Sequence, residues 1–541
     1  MSRVKPFIIL ALCIFAVFLR LYRLDNVPPS PSLDEVSIGY NAFSIGKTGL
    51  DEYKEFFPLQ LRAYDDFRPA LYIYPVITTV SMFGLSAFAV RLPSVIFSLF
   101  TLFFIYQTAS LLGKKYFKSD TLSVWVLALS AVSPWHIYIS RLGHEVNLGL
   151  ALFTAGAYAI VYWVVTQQNK GLYWAAVLMA LSLYGYQSEK IVLPIFGAIV
   201  LTLFWRRLYG SKLVAIKALL LFVLLASYAV VLTLSPQGLS RLHGTSAIGK
   251  DAPEMQKAMV AHAKAVTSGD KVDAFLSSKY VTAATIIINN YVSHFSPRWL
   301  FTGERRESHK VPDMGLLAWW TGVFICLGFL YTYRRVPINV FLLLVAWIFT
   351  GPIPASITTQ APHAMRAITM FPPVMIMAAV GIGMLEKHIR IKSVVGFICA
   401  LLLLYQGVRF SHQYFTVFPK EQSDSFQYAL GKAVEYVQDE SENYSRVIVT
   451  NEGAGYQSYM FFLFYTQYDP IYYLKNGGTT SGGYAQMHKI GNVSFEPIEN
   501  TEQVLPNTLY IADVSRLPHG GSVKRTFTNK DGKPAIVAIS L

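Results

Sequence analysis

Residues 24–71 read LDNVPPSPSLDEVSIGYNAFSIGKTGLDEYKEFFPLQLRAYDDFRPAL, and this stretch decides the fold. It follows an apolar run, Pro6 to Leu21, long enough to cross a bilayer, and is itself too polar to enter one. Ser32-Leu33-Asp34-Glu35 matches a capping box, with Ser32 as N-cap and Glu35 at N3, so a helix is predicted to start there. Val36, Tyr40 and Phe43 fall at i, i+4 and i+7, which predicts an amphipathic helix lying along the membrane surface. An acidic loop at the mouth of a helical bundle is the first place to look for chemistry.

Composition supports that frame. The chain has 541 residues, 53% hydrophobic and 14% charged, against roughly 25% charged in a soluble domain. With repeated apolar runs of about 20 residues, this indicates an α-helical multi-pass membrane protein. The net charge of +14 does not point to nucleic acid, because Lys and Arg collect in short loops between apolar runs. Cys13, Cys326 and Cys399 all lie in apolar runs, so no disulfide framework is indicated. The first run lacks a clear small-residue cleavage site and reads as a retained anchor.

Arg3 and Lys5 precede that anchor and place the N-terminus in the cytoplasm and the acidic loop outside. The segment 70–89 is interrupted by Pro75 and Gly84. If it lies along or dips into the outer surface, Lys114, Lys115 and Lys118 face the cytoplasm, and later loops obey the same bias. About eleven spans are expected over residues 1–409, including 121–139 and a short one at 172–184, with outer loops at 22–90 and 236–312. Within the second loop, 252–291 is helical in pattern with a break at Ser268–Asp270. Residues 410–541 are polar enough to form a small extracytoplasmic α/β domain. Its strands are expected at 446–450 and 508–512, its helices at 423–437 and 457–468, and a hairpin over 524–539 around Asn529-Lys-Asp-Gly532. Gly477-Gly478 and Gly482-Gly483 mark a loop; no GK[ST] follows, so it is not a P-loop.

Several outer-side residues can carry chemistry. Asp34 is a candidate general base, with a helix-dipole role as the alternative; Glu35 is more simply a capping carboxylate. Arg68, after Asp65-Asp66, suits either a phosphate ligand or an interfacial anchor. Arg141, His144 and Glu145 sit close together in an outer turn, and Glu189-Lys190 in another, where they can simply pair. His294 and Arg298 can contact a ligand or cap a helix. His363 and Arg366 lie one helical turn apart, spaced to meet one anion. No His/Cys/carboxylate set has zinc spacing. A divalent cation is left open as a cofactor.

In pattern and order these stretches resemble the GT-C membrane glycosyltransferases. The nearer resemblance is to the bacterial branch of the protein O-mannosyltransferase family (glycosyltransferase family 39 type), which includes the lipid A aminoarabinose transferase. It rests on the first span followed by Asp34-Glu35, on Arg68-Pro69-Ala70-Leu71, Ala89-Val-Arg91-Leu-Pro-Ser94 and Ser133-Pro-Trp-His-Ile-Tyr-Ile-Ser-Arg141, over roughly residues 7–200, and on Pro362-His363-Ala-Met-Arg366. The chain departs from the family where a basic-Pro-Pro-Leu pattern becomes Arg68-Pro69-Ala70-Leu71, and where Glu145 stands for a more usual Asp.

The resemblance implies transfer of one sugar, with inversion, from a polyprenyl-phosphate donor to a protein, lipid or cell-envelope glycan at the outer face of a bacterial-type inner membrane. It implies Asp34 as base with Glu145 assisting, and Arg68, His363 and Arg366 at the donor phosphate. Glu35, Asp66, Arg141, His144, Glu189, Lys190, His294 and Arg298 remain candidate substrate contacts. The rivals are a transporter or lipid flippase, against which the absence of an internal repeat counts, and a non-catalytic glycan-binding paralogue.

Overall fold

The computed structural model describes residues 5–64, 66–249, 251–307, 309–388, 392–480 and 488–541. Arg3, Asp65 and Gly482-Gly483 lie outside the described residues. The chain forms two compact units. One takes the residues through Leu19, with Phe97–Ile139 and Val146–Phe410; the other takes Arg20–Ile96, Ser140–Glu145 and Ser411–Leu541. The acidic loop and the C-terminal domain therefore belong to one packed body.

The first unit is helical. Among the described residues seven helices are long and apolar enough to cross a membrane, or eight if one bent pair counts as a span. The expectation of about eleven counted shorter elements. The anchor helix α1 (Lys5–Leu21) has 17 residues, Lys170–Ser182 has 13 and Thr321–Arg335 has 15. The expected span 121–139 is bent by 59° between Leu122–Ala131 and Pro134–Ser140, where Pro134 has no N–H to continue the first helix. The outer segment forms Pro253–Ser268, Lys271–Leu276 and Lys279–Ser293. Its break is where expected: Gly269 takes a left-handed conformation and Asp270 caps the next helix.

In the second unit α2 (Leu33–Thr48) begins on the capping box that the sequence specifies. The Ser32 N–H donates to Glu35 Oε2 at 2.7 Å, and the Glu35 N–H donates to Ser32 Oγ at 3.4 Å. The expectation of a surface helix is corrected. Glu35 through Ala42, with Ser44 and Ile45, are all buried. The helix Ser458–Tyr465 packs so closely on α2 that a Cβ at Gly39 would lie 2.6 Å from the Phe464 ring. A hairpin of β1 (Gln60–Ala63) and β2 (Asp66–Pro69) follows, antiparallel, with Arg68 opposite Leu61. Then come α3 (Ile73–Phe83) and α4 (Ala87–Leu112), whose first ten residues belong to this unit. With 11 residues, α3 is shorter than the roughly 20 needed to span a bilayer.

The C-terminal domain carries a six-stranded sheet of β3 (Arg446–Thr450), β4 (His488–Ile490), β5 (Val493–Glu496), β6 (Thr508–Asp513), β7 (Ser522–Thr528) and β8 (Pro534–Ser540), in the order β4-β5-β3-β6-β8-β7. β3 runs parallel to β5 and β6, and the terminal hairpin is antiparallel. The central strands are buried almost throughout, which is why they read as continuous apolar runs. Ile448, Tyr510, Val537 and Ile539 share one core cluster. The helices Tyr428–Glu440 and Ser458–Tyr465 overlap the expected ones. β4 and β5 were not expected from the sequence.

Candidate active site

The site is built on the first turn of α2. Arg91, from α4, is fully buried and forms a two-point ion pair with Glu35, at 2.7 Å (Nε to Oε1) and 3.1 Å (Nη2 to Oε2). Its remaining N–H groups donate to the carbonyls of Leu24, Pro28 and Ser30 at 2.8, 3.2 and 2.7 Å. The Pro-rich turn is thus held by a planar fork whose donors meet carboxylate and backbone together. Glu35 also accepts the Gly143 N–H at 2.7 Å. A Cβ on Gly143 would lie 2.6 Å from Val90 of α4 and 3.2 Å from Glu35 Cγ, so the turn packs this closely on α4 only as glycine. Arg141, also fully buried, donates to the carbonyls of Arg20, Tyr22 and Val27. Glu35, Arg91 and Arg141 are framework: they bring the 140–145 turn against the N-terminus of α2.

That framework assembles four of the sequence candidates. Asp34 Oδ1 accepts from Arg68 Nη2 at 2.8 Å, and Asp34 Oδ2 lies 3.6 Å from His144 Nε2. His144 Nδ1 lies 2.9 Å from Glu145 Oε2. The Asp34 side chain is 45% exposed, whereas Arg68 is 5% and Glu145 2% exposed. A reachable carboxylate therefore sits over a buried cation and an imidazole backed by a second carboxylate. Burial opposes charge on His144, but Glu145 and Asp34 outweigh it and push the imidazole up to about 9. Burial likewise opposes charge on Arg68, and Asp34 and Glu145 outweigh it, raising its pKa. Arg68 Nε and Nη1 are buried without a hydrogen-bond partner among the described residues. Asp66 is half-buried and its Oδ1 accepts the N–H of Phe67 at 2.8 Å.

A second cluster forms in the helical unit. The His363 N–H donates to His294 Nε2 at 3.1 Å, and His294 Nδ1 lies 2.7 Å from the Asn290 carbonyl. A backbone N–H can only donate and a carbonyl only accept, so His294 is neutral with its proton on Nδ1. Burial agrees, pulling it down to about 4. His294 is fully buried and supports the turn that carries His363 and Arg366. Arg366 donates to Thr358 Oγ1 at 2.7 Å and to the Thr359 carbonyl at 3.0 Å. The His309 ring lies 4.6 Å from that of His363; nothing in its local sequence marked it. Glu189 is fully buried and accepts from Thr369 Oγ1 at 3.2 Å, while Lys190 is half-buried. Arg298 is exposed and pairs with Glu304 at 2.6 Å. Among the described residues no group of three or more His, Cys, Asp or Glu is arranged to hold a metal ion.

No protein-family model and no curated protein sequence matches the chain. Solved structures do. ArnT from Cupriavidus metallidurans bound to undecaprenyl phosphate aligns over 99% of this chain and 98% of its own, with a TM-score of 0.56 at 9% identity. The archaeal oligosaccharyltransferase AglB from Archaeoglobus fulgidus, in complex with an inhibitory peptide and a dolichol-phosphate, aligns over 84% of this chain and 63% of its own, at 11% identity and a TM-score of 0.47. The chain has the GT-C fold: a multi-pass helical membrane protein with a C-terminal sheet domain. Within that fold it is similar to ArnT along nearly the whole length of both chains.

Proposed function

We propose that the chain is an inverting membrane glycosyltransferase that moves one sugar from a polyprenyl-phosphate donor to an acceptor hydroxyl or amine at the outer face of a bacterial-type inner membrane. The observation that carries this reading is the pairing of Asp34 with Arg68. A half-exposed carboxylate is fixed at 2.8 Å by a buried guanidinium that has further N–H groups unfilled among the described residues. The likeness to a structure binding undecaprenyl phosphate supports the donor class.

In this reading the acceptor oxygen or nitrogen attacks the anomeric carbon as Asp34 takes its proton. The bond from that carbon to the phosphate oxygen breaks on the opposite face, and the phosphate leaves with the electron pair. Phosphate is already a good leaving group, so no acid need protonate it, unlike the alcohol in glycoside hydrolysis. Arg68 would hold Asp34 in place and offer its remaining donors to charge developing nearby. His144 would fix the second Asp34 oxygen, with Glu145 behind it. Arg366 and His363, in the helical unit, are proposed as an anion-binding pair suited to a phosphate.

The test uses purified protein in lipid and a panel of radiolabelled polyprenyl-phosphate sugars, with donor binding and sugar release followed separately in wild type and Asp34→Asn. The expected result is one donor consumed by wild type, and a variant that still binds it but turns over at least ~100-fold more slowly. Equal consumption by both would make Asp34 a capping charge. Transbilayer movement of the lipid without sugar release would indicate a flippase instead.

A further inference from the structure

Glu52 is fully buried in the second unit and no cation pairs with it among the described residues. Neutral donors satisfy it instead. Asn41 Nδ2 donates to Oε1 at 2.9 Å, and the hydroxyls of Thr479 and Tyr459 donate to Oε2 at 2.7 and 3.2 Å. The backbone is tied in too: the Glu52 N–H donates to Asn41 Oδ1 at 2.9 Å, and the Thr479 N–H donates to the Glu52 carbonyl at 2.9 Å. Asn41 belongs to α2, whereas Tyr459 and Thr479 come from the C-terminal domain.

The same domain reaches the start and the middle of α2. Tyr459 packs edge-on against Tyr64, with centroids 6.3 Å apart, and the Tyr64 hydroxyl donates to the Leu33 carbonyl at 2.9 Å. Leu33 is the residue before Asp34. Tyr40 OH donates to the Tyr468 carbonyl at 3.2 Å, and Ser30 Oγ lies 2.8 Å from Tyr465 OH. Buried polar networks of this kind fix one geometry because each lost partner strands another group away from water.

We propose that Glu52 is a positioning residue, through which the C-terminal domain holds α2 and so sets the orientation of Asp34. The assignment of a catalytic role to Asp34 rests on the proposed transferase reading; the mechanical coupling does not. It gives the sheet domain a part in the reaction without requiring it to touch substrate.

The test is made on the full chain in lipid, with hydrogen exchange of the 33–48 peptide as the first readout. Tyr459→Phe combined with Thr479→Val should speed exchange of α2 amides by at least ~10-fold, since two of three donors to a buried carboxylate are lost. Glu52→Gln should stay near wild type, because its amide nitrogen can donate to the same hydroxyl oxygens. In the donor assay the double variant should lower kcat by ~10-fold with donor Kd changed by less than ~2-fold. In an Asp34→Asn background the same double variant should lower the residual rate no further.

Unchanged exchange overturns the proposal, as does an equal rate loss with and without Asp34. If wild type consumes no donor, the transferase reading falls, and exchange alone decides whether Glu52 holds α2.

Discussion

Glu35 and Arg91 form a fully buried two-point ion pair, at 2.7 and 3.1 Å, and each also satisfies backbone groups of a different loop. Glu35 takes the N–H groups of Ser32 and Gly143; Arg91 takes the carbonyls of Leu24, Pro28 and Ser30. The pair is the fastening from which Asp34 and His144 are presented. Glu35→Ala should therefore cost about 3–5 kcal/mol, the usual effect of leaving one buried charge unpaired. Ser32→Ala removes only the cap and should cost about 1 kcal/mol. Denaturant unfolding of both variants in detergent checks this; equal losses would reduce Glu35 to a capping residue.

Arg68 has a double duty if it both fixes Asp34 and receives an anion. Arg68→Lys keeps one charge but loses the planar fork, so it cannot serve both partners in the same geometry. Affinity for polyprenyl phosphate should fall about 10–100-fold, measured by tryptophan quenching in nanodiscs. Retained affinity with a lowered turnover would confine Arg68 to holding Asp34.

His144 ties the site to pH. Its folded value of about 9 lies above the ordinary 6.5, since Glu145 and Asp34 outweigh the burial that opposes its charge. A raised value means that the imidazolium contributes stability fully below about 6.5, and that the contribution is lost as pH rises through about 9. His144→Gln should remove that pH dependence and lower stability at pH 6 by about 2–3 kcal/mol. Thermal midpoints of wild type and variant from pH 6 to pH 10 test it. The two curves should converge on the alkaline side; a constant offset would show that packing, not charge, was lost.

The parts of the fold legible in the sequence are those set by local chemistry. Ser32 and Glu35 declare a helix start because the cap is made within four residues. The strands β3, β6 and β8 declare themselves by apolar runs, and Asn529–Gly532 by its turn chemistry. What the sequence concealed depends on partners far along the chain. The α2 pattern of Val36, Tyr40 and Phe43 suggests one wet face, yet Ile38, Asn41 and Ile45 on the opposite side are buried as well, with Asn41 bonded to Glu52. Glu52 sits in a charged stretch that reads as solvated loop, and only Tyr459 and Thr479 make it a buried one. At the site, Asp34, Arg68, His144 and Glu145 were all readable as candidates. That His294 serves as a neutral support was not, because its tautomer is set by Asn290 and the His363 backbone.

Glu52 makes the opposite prediction to His144 in mechanism but the same in direction. Burial pushes its carboxyl up to about 7, against the hydrogen bonds from Asn41, Thr479 and Tyr459 that favour the ionised form; neighbouring Asp51 adds to the rise. A raised acid binds its proton more tightly folded than unfolded. Its contribution is therefore fully present below about 4.5 and is lost as pH rises through about 7. Glu52→Gln is neutral throughout and keeps both acceptor and donor geometry. Its thermal midpoint should vary less than wild type between pH 4.5 and 7.5, and at pH 8 it should be at least as stable. Because His144 titrates mainly above this window, Glu52→Gln and His144→Gln should flatten different limbs of the curve. A Glu52→Gln variant that is uniformly less stable at every pH would mean that the carboxylate is held ionised, with the surrounding donors dominating burial.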